Sequence, residues 1–252
     1  MDCVGSQLFP KEPNVTAISL VLLPGLDGTG LLFNPLVAAL PATITPTIVR
    51  YPGEPHLNYQ QLLPLALEAL SQSDPFILLG ESFSGPLAAM IAAQRPKNLI
   101  GLILCASFVT KPWRFVGPAI PVLARGPIFN LYMPYKRIRA RLGGYSTPER
   151  RALIEQMHKL VPPHVFASRV RMVFRVDARE ALRSCDVPIL YLKAARDMVV
   201  PAKNLRVVQQ IKPSVQVVTI GSSHMILQRH PVEAAEAISS YASLLGLGTQ
   251  EI

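Results

Sequence analysis

The chain has 252 residues, half of them hydrophobic and 16% charged, a composition that supports one substantial core and excludes global disorder. Its 15 glycines and 24 prolines follow no period, which excludes collagen-like and low-complexity classes. The net charge of +9 is concentrated: Lys111 to Cys185 holds 15 basic and 4 acidic residues, and the remainder holds 10 and 12.

In chain order, Ala17–Leu23 is a short apolar run closed by Pro24-Gly25, which predicts a buried strand. Leu31–Leu40 spaces its apolar residues three and four apart, as a helix does. Strand Thr43–Val49, helix Asn58–Ser71, strand Pro75–Gly80, helix Ser84–Gln94 and strand Asn98–Cys105 follow, the strands reading as buried. After residue 186 the alternation resumes with strand Val187–Lys193, helix Ala202–Ile211, strand Val215–Ile220 and helix Val232–Leu245. Strands alternating with helices of this length predict an α/β fold with right-handed crossovers and a mainly parallel sheet flanked by helices. Residues 107–186 break the rhythm with a proline-punctuated apolar stretch and then arginine-rich helical sequence. That segment is far longer than an ordinary crossover. It reads as a mostly helical cap, or lid, inserted into a core built from residues 1–106 and 187–252.

Gly80-Glu81-Ser82-Phe83-Ser84-Gly85 joins a predicted strand to a predicted helix. A serine at the centre of such a sharp turn is held exposed on strained backbone, and the turn needs small residues two positions either side. Gly80 satisfies that need upstream; downstream Ser84 replaces the usual glycine. A hydroxyl becomes a nucleophile only when a base removes its proton, and the base needs an acid to orient it. Asp197 follows strand Val187–Lys193, and His224 follows strand Val215–Ile220, each about four residues past the strand end, where a loop returns over the sheet edge. Serine, acid, histidine is the expected order in this architecture. Alone, Asp197 reads as a turn residue and His224 as a solvated loop histidine; the joint order selects the triad.

A tetrahedral oxyanion also needs donors, each worth roughly 2.7–4 kcal/mol. The Phe83 amide, next after the serine, is one candidate. The glycine-rich loop Pro24-Gly25-Leu26-Asp27-Gly28-Thr29-Gly30 offers the other, at Leu26. That loop fits no phosphate-binding pattern, because Leu31-Leu32 follows Gly30 and Phe33 occupies the third glycine's place of a dinucleotide motif. His158 and His164 stand six apart, not the three or four that align two metal ligands on a helix. No cofactor and no metal is expected.

These motifs together resemble the α/β-hydrolase superfamily, and the resemblance covers nearly the whole chain. It implies the α/β-hydrolase fold and a serine hydrolase, with Ser82 as nucleophile, His224 as general base and then acid, and Asp197 orienting it. It implies a cap at the same place. Pro24-Gly25 departs from the His-Gly of many relatives. A weaker resemblance is to hydrolases that cleave the methyl ester of a carrier-bound pimeloyl chain.

The apolar part of the cap, with Trp113, Phe115 and Phe129, reads as the lining of an acyl pocket or as ordinary packing. From Arg169 the arginines at 171, 175, 179 and 183 follow at spacings of 2, 4, 4 and 4, which predicts one basic helical face. Such a face is either solvated or a dock for an acidic acyl carrier protein, coenzyme A phosphates or an anionic membrane. Aromatics do not interleave with the basic run, so nucleic acid is not expected. No apolar run reaches the roughly 18 residues of a membrane span, and Met1–Pro10 lacks the pattern of a secretory signal. With three scattered cysteines, a reduced, cytoplasmic protein is the expectation. The reaction expected is hydrolysis of carboxylic esters with short to medium acyl chains. Thioester cleavage, acyl transfer or methyl ester cleavage on a carrier- or coenzyme A-linked chain is the alternative, and a catalytically silent binding protein is the alternative of another class.

Overall fold

Short apolar runs bounded by Pro, Gly or Asn become the strands β1 (Ile18–Leu23), β2 (Ile44–Ile48), β3 (Phe76–Glu81), β4 (Leu99–Cys105), β5 (Ile189–Ala194) and β6 (Gln216–Ile220). The computed structural model describes residues 18–53, 57–70, 74–113 and 147–246. The six strands form one sheet in the order β2-β1-β3-β4-β5-β6, and every neighbouring pair is parallel. This is the α/β-hydrolase arrangement, with helices α1 (Asn34–Ala39), α2 (Tyr59–Glu68), α3 (Gly85–Ala93), α4 (Pro148–Leu160), α5 (Pro163–Val173), α6 (Arg179–Arg183), α7 (Lys203–Ile211), α8 (Ile226–Arg229) and α9 (Pro231–Leu244) around it.

Because a parallel sheet is covered on both faces, its inner strands are apolar at every position rather than at alternate ones. All six residues of β3 are buried. Alternation still decides which layer each side chain joins. Phe76 and Leu78 pack with α2, α3 and α7 through Leu62, Leu87, Ile91 and Val208. Ile77 and Leu79 face the other layer, where Leu36 of α1 and Ile238 and Tyr241 of α9 meet them. Burying one such leucine stabilises the fold by about 1.5–3 kcal/mol.

Two strands are less buried than their apolar content predicts. β2 lies at one margin of the described sheet with Thr45 and Thr47 exposed, and its Pro46 is the kind of residue a sheet margin tolerates. β6 lies at the other margin, exposed from Gln216 to Thr219.

Between β4 and β5 the chain leaves the sheet and returns. Thr110 bridges Asp177, and the Ala178 amide donates to the Val109 carbonyl at 2.7 Å, so exit and return meet at one point. Of the inserted residues, 147–186 contain α4, capped by the Thr147 hydroxyl, then α5 and α6. The proline-punctuated part, with Phe115 and Phe129, lies outside the described residues.

The arginine spacing does not produce one helical face. α5 ends at Val173 and α6 starts at Arg179, so the helix that the 2-4-4-4 pattern requires is interrupted. Arg179 and Arg183 pair locally with Asp177 and Glu180. Arg169 is buried, at 5% exposure.

Candidate active site

β3 ends at Glu81, and the chain passes at once through a 3-10 turn, Ser82–Ser84, into α3. Ser82 adopts φ +48°, a region that a side-chain-bearing residue enters only when its surroundings hold it there. Glycine makes the room. A Cβ on Gly80 would lie 2.8 Å from Ala88 Cβ, and one on Gly85 would lie 1.9 Å from Ser107 Oγ. Ser84, in the place of the usual glycine, uses its hydroxyl. It donates to the Pro24 carbonyl, which can only accept, so the Tyr51 hydroxyl donates to Ser84 Oγ at 2.6 Å. Ser107 Oγ donates to the Ser82 carbonyl at 2.5 Å, and the Tyr59 hydroxyl to the Phe83 carbonyl at 2.8 Å.

The loops beyond β5 and β6 bring two side chains to Ser82. His224 Nε2 lies 2.8 Å from Ser82 Oγ, and His224 Nδ1 lies 2.9 Å from Asp197 Oδ2. A carboxylate only accepts, so Nδ1 carries the proton and Nε2 is left to accept from the serine. The other carboxylate oxygen, Asp197 Oδ1, accepts the Val199 and Val200 amides at 2.8 Å each. Both its oxygens are engaged, and the side chain is 8% exposed.

The loop after β1 lies against this turn. Besides the Ser84 bond to Pro24, the Gly25 amide is hydrogen-bonded to the Glu81 carboxylate. The Glu81 carboxylate also accepts from Gln228 Nε2 at 2.9 Å. Burial pushes Glu81 up to about 7, against the lowering effect of those bonds. Further along the loop, Asp27 accepts from the Thr29 amide and hydroxyl. From the far side Arg169 reaches in. Its Nη1 donates to the Leu26 carbonyl at 3.1 Å and to the Asp27 carbonyl, and its Nη2 to the Pro52 carbonyl at 2.9 Å.

The profile described as the alpha/beta hydrolase family matches residues 20–237. The chain belongs to the α/β hydrolase family. Among curated relatives in this family, it is 26% identical over 244 residues to the biotin biosynthesis bifunctional protein of Cellvibrio japonicus, covering 90% of this chain but 48% of that one. It thus spans about half of that relative's length. It is 27% identical over 234 residues to the pimeloyl-[acyl-carrier protein] methyl ester esterase of Vibrio parahaemolyticus, covering 86% and 89%. A lipase-esterase related protein from Clostridium acetobutylicum superposes with a TM-score of 0.73 at 12% identity, over 90% of this chain and 96% of that one, a likeness of fold.

Of the residues singled out from the sequence, Ser82, His224 and Asp197 form one hydrogen-bonded chain. Phe83 is buried beside Ser82, and Leu26 lies in the loop pinned to the same turn. Trp113 is 38% exposed, and its indole N–H donates to the Val199 carbonyl at 2.9 Å, tying the start of the inserted segment to the Asp197 loop. Phe115 and Phe129 lie outside the described residues. The sequence reading gave Glu81 no role and placed Arg169 on a basic surface face, whereas both reach the loop after β1. A charged residue closing an apolar strand, and an arginine inside Val165-Phe166-Ala167-Ser168-Arg169-Val170, were the available signals. Among the described residues no helix is long and apolar enough to cross a membrane, and no cluster of metal-binding side chains occurs.

Proposed function

We propose that the chain is a serine esterase that hydrolyses carboxylic esters through an acyl-enzyme. The observation that carries this reading is the chain Ser82 Oγ to His224 Nε2 to Asp197 at 2.8 and 2.9 Å, mounted on a positive-φ turn. In the first step Ser82 Oγ attacks the ester carbonyl while His224 Nε2 takes its proton. The tetrahedral oxyanion is held by the Phe83 and Leu26 amides. Its collapse expels the alcohol, which receives the proton from His224, and leaves an ester on Ser82. A water molecule then repeats the sequence against that ester, and the acid departs. Asp197 keeps Nδ1 protonated and stabilises the imidazolium. In this reading residues 107–186 form the cap over a core of 1–106 and 187–252, and Trp113, Phe115 and Phe129 belong to the acyl side of the site. The buried free thiols of Cys105 and Cys185 fit a reducing, cytoplasmic setting.

The substrates proposed are esters of short to medium acyl chains. A second reading, a carrier-linked methyl ester or thioester, is favoured by the likeness to the Vibrio methyl ester esterase and by the basic inserted segment. The test is hydrolysis of p-nitrophenyl esters from acetate to palmitate, with Ser82→Ala as control. A short- or medium-chain optimum lost in the variant supports the first reading. Little turnover with Ser82 still labelled by a fluorophosphonate favours the second. In that case Arg171→Glu with Arg175→Glu is expected to weaken a carrier-linked substrate and spare a small ester. Unchanged turnover in Ser82→Ala overturns both, and failure of the fluorophosphonate to label Ser82 identifies a catalytically silent protein.

A further inference from the structure

Arg169 sits in α5 at 5% exposure, with its charge inside the protein. Burying a guanidinium is unfavourable unless its donors are met. Here they converge on one target. Three carbonyls, of Leu26, Asp27 and Pro52, accept from it, and the Tyr51 ring lies beneath it with the guanidinium carbon 5.8 Å from the ring centroid. Tyr51 in turn donates to Ser84, which donates to Pro24. The loop is shaped to receive this group. Gly28 has φ +68°, and a Cβ there would lie 2.5 Å from Arg169 Nη1. The apolar contacts point the same way: Met157 and Val161 at the end of α4, with Val165 and Phe166 of α5, pack against Leu26, which bears one of the gripped carbonyls, and against Leu31 further along the loop.

The loop that carries Leu26 is therefore held by hydrogen bonds from two sides. Ser84 and Glu81 grip Pro24 and Gly25 from the serine turn, and Arg169 grips Leu26 and Asp27 from the inserted segment. The guanidinium bonds the carbonyl of the residue whose amide is proposed as an oxyanion donor. We infer that Arg169 is a positioning residue that sets the backbone at Leu26 for transition-state stabilisation, holding the peptide that follows the donor amide, so that a competent oxyanion site forms only while α5 is seated on the loop. This rests on the serine esterase reading above. Arg169 touches no reacting atom and acts through the loop. A donor displaced by a fraction of an ångström still admits the ground-state ester but meets the tetrahedral oxygen poorly. The effect belongs in kcat, with ester binding spared.

The test compares wild type with Arg169→Met, Arg169→Lys and Ser82→Ala on p-nitrophenyl butyrate, alongside inhibition by an alkyl boronic acid, which forms a tetrahedral adduct on serine. Arg169→Met is expected to lower kcat roughly 10- to 100-fold while KM stays within about 2-fold, and to weaken the boronate by a similar factor. Arg169→Lys keeps the charge but not the fork that spans three carbonyls, so it is expected to fall between the two. If Arg169→Met does not fold, Arg169→Lys and the boronate carry the test alone. A raised KM with unchanged kcat would make Arg169 an ordinary binding residue and overturn the inference, as would full kcat in a folded variant. Loss of activity in Ser82→Ala with full activity in Arg169→Met sinks the inference and spares the esterase reading. Unchanged activity in Ser82→Ala removes both.

Discussion

Replacing Glu81 with glutamine has a pH-dependent consequence for stability. The carboxyl is buried, meets the Gly25 amide and Gln228 Nε2, and is pushed up to about 7 from an ordinary 4.5. Folded protein thus holds this proton about 3 kcal/mol more tightly than unfolded chain. Below about pH 4.5 both states are protonated, and Glu81 contributes its full stability. As pH rises from there the unfolded carboxyl ionises first, and the contribution is lost steadily until the folded group ionises near 7, after which the loss is constant. Glu81→Gln has no such proton to lose. The unfolding free energy of the variant minus that of wild type should therefore grow by about 2–3 kcal/mol between pH 5 and pH 8. For a chain of this size that is a shift of roughly 5–10 °C in the difference between their Tm values. Urea unfolding of both proteins at pH 5, 6, 7 and 8 measures it, because other titrating groups cancel in the difference. A constant offset at all four values reports only exchanged hydrogen bonds. A difference that stays flat, or that shrinks as pH rises, would refute the reasoning.

Ser82→Gly and Ser82→Ala should both abolish turnover, yet the glycine variant should be the more stable by about 1 kcal/mol, reversing the usual order, because φ is +48° there. Thermal unfolding of the pair reads this directly. Asp197→Asn should lower kcat by roughly ten-thousand-fold with little change in KM, since an amide presents a donor where Nδ1 needs an acceptor; steady-state kinetics decide it. Gly28→Ala should destabilise the fold by about 1–3 kcal/mol, both from its φ of +68° and from the contact with Arg169, and a Tm equal to wild type would contradict that account.

The strands and the Ser82, Asp197 and His224 positions were legible because they depend on local signals. A buried parallel strand must be apolar at every position, as Phe76–Leu79 are, and the loops that bring Asp197 and His224 to Ser82 directly follow their strand ends. Arg169 was not legible, since an arginine's ordinary place is the surface and its spacing to Arg183 looks helical throughout. Only the interruption between Val173 and Arg179, and the three carbonyls that come from distant parts of the chain, turn it inward. Glu81 escaped notice for a related reason. Its partners, Gly25 and Gln228, lie 56 residues before it and 147 after it, and no local pattern announces them. The same holds for Ser84, whose departure from glycine becomes intelligible once Tyr51 and Pro24 are placed beside it.

The inserted segment departs and returns at one place, where Thr110 meets Asp177 and Ala178 meets Val109. The sheet therefore registers only that the two ends are joined, and not how much chain lies between them. Closure entropy rises by only about 0.6 kcal/mol for each doubling of a flexible loop's length. Residues can be gained or lost within the insertion while β4 and β5 keep their pairing. Among the described residues, the Arg169 grip on the first loop, the packing of Met157, Val161, Val165 and Phe166 against it, and the Trp113 bond to Val199 constrain such changes. The length of one excursion can thus drift while the sheet that carries Ser82, Asp197 and His224 stays as it is.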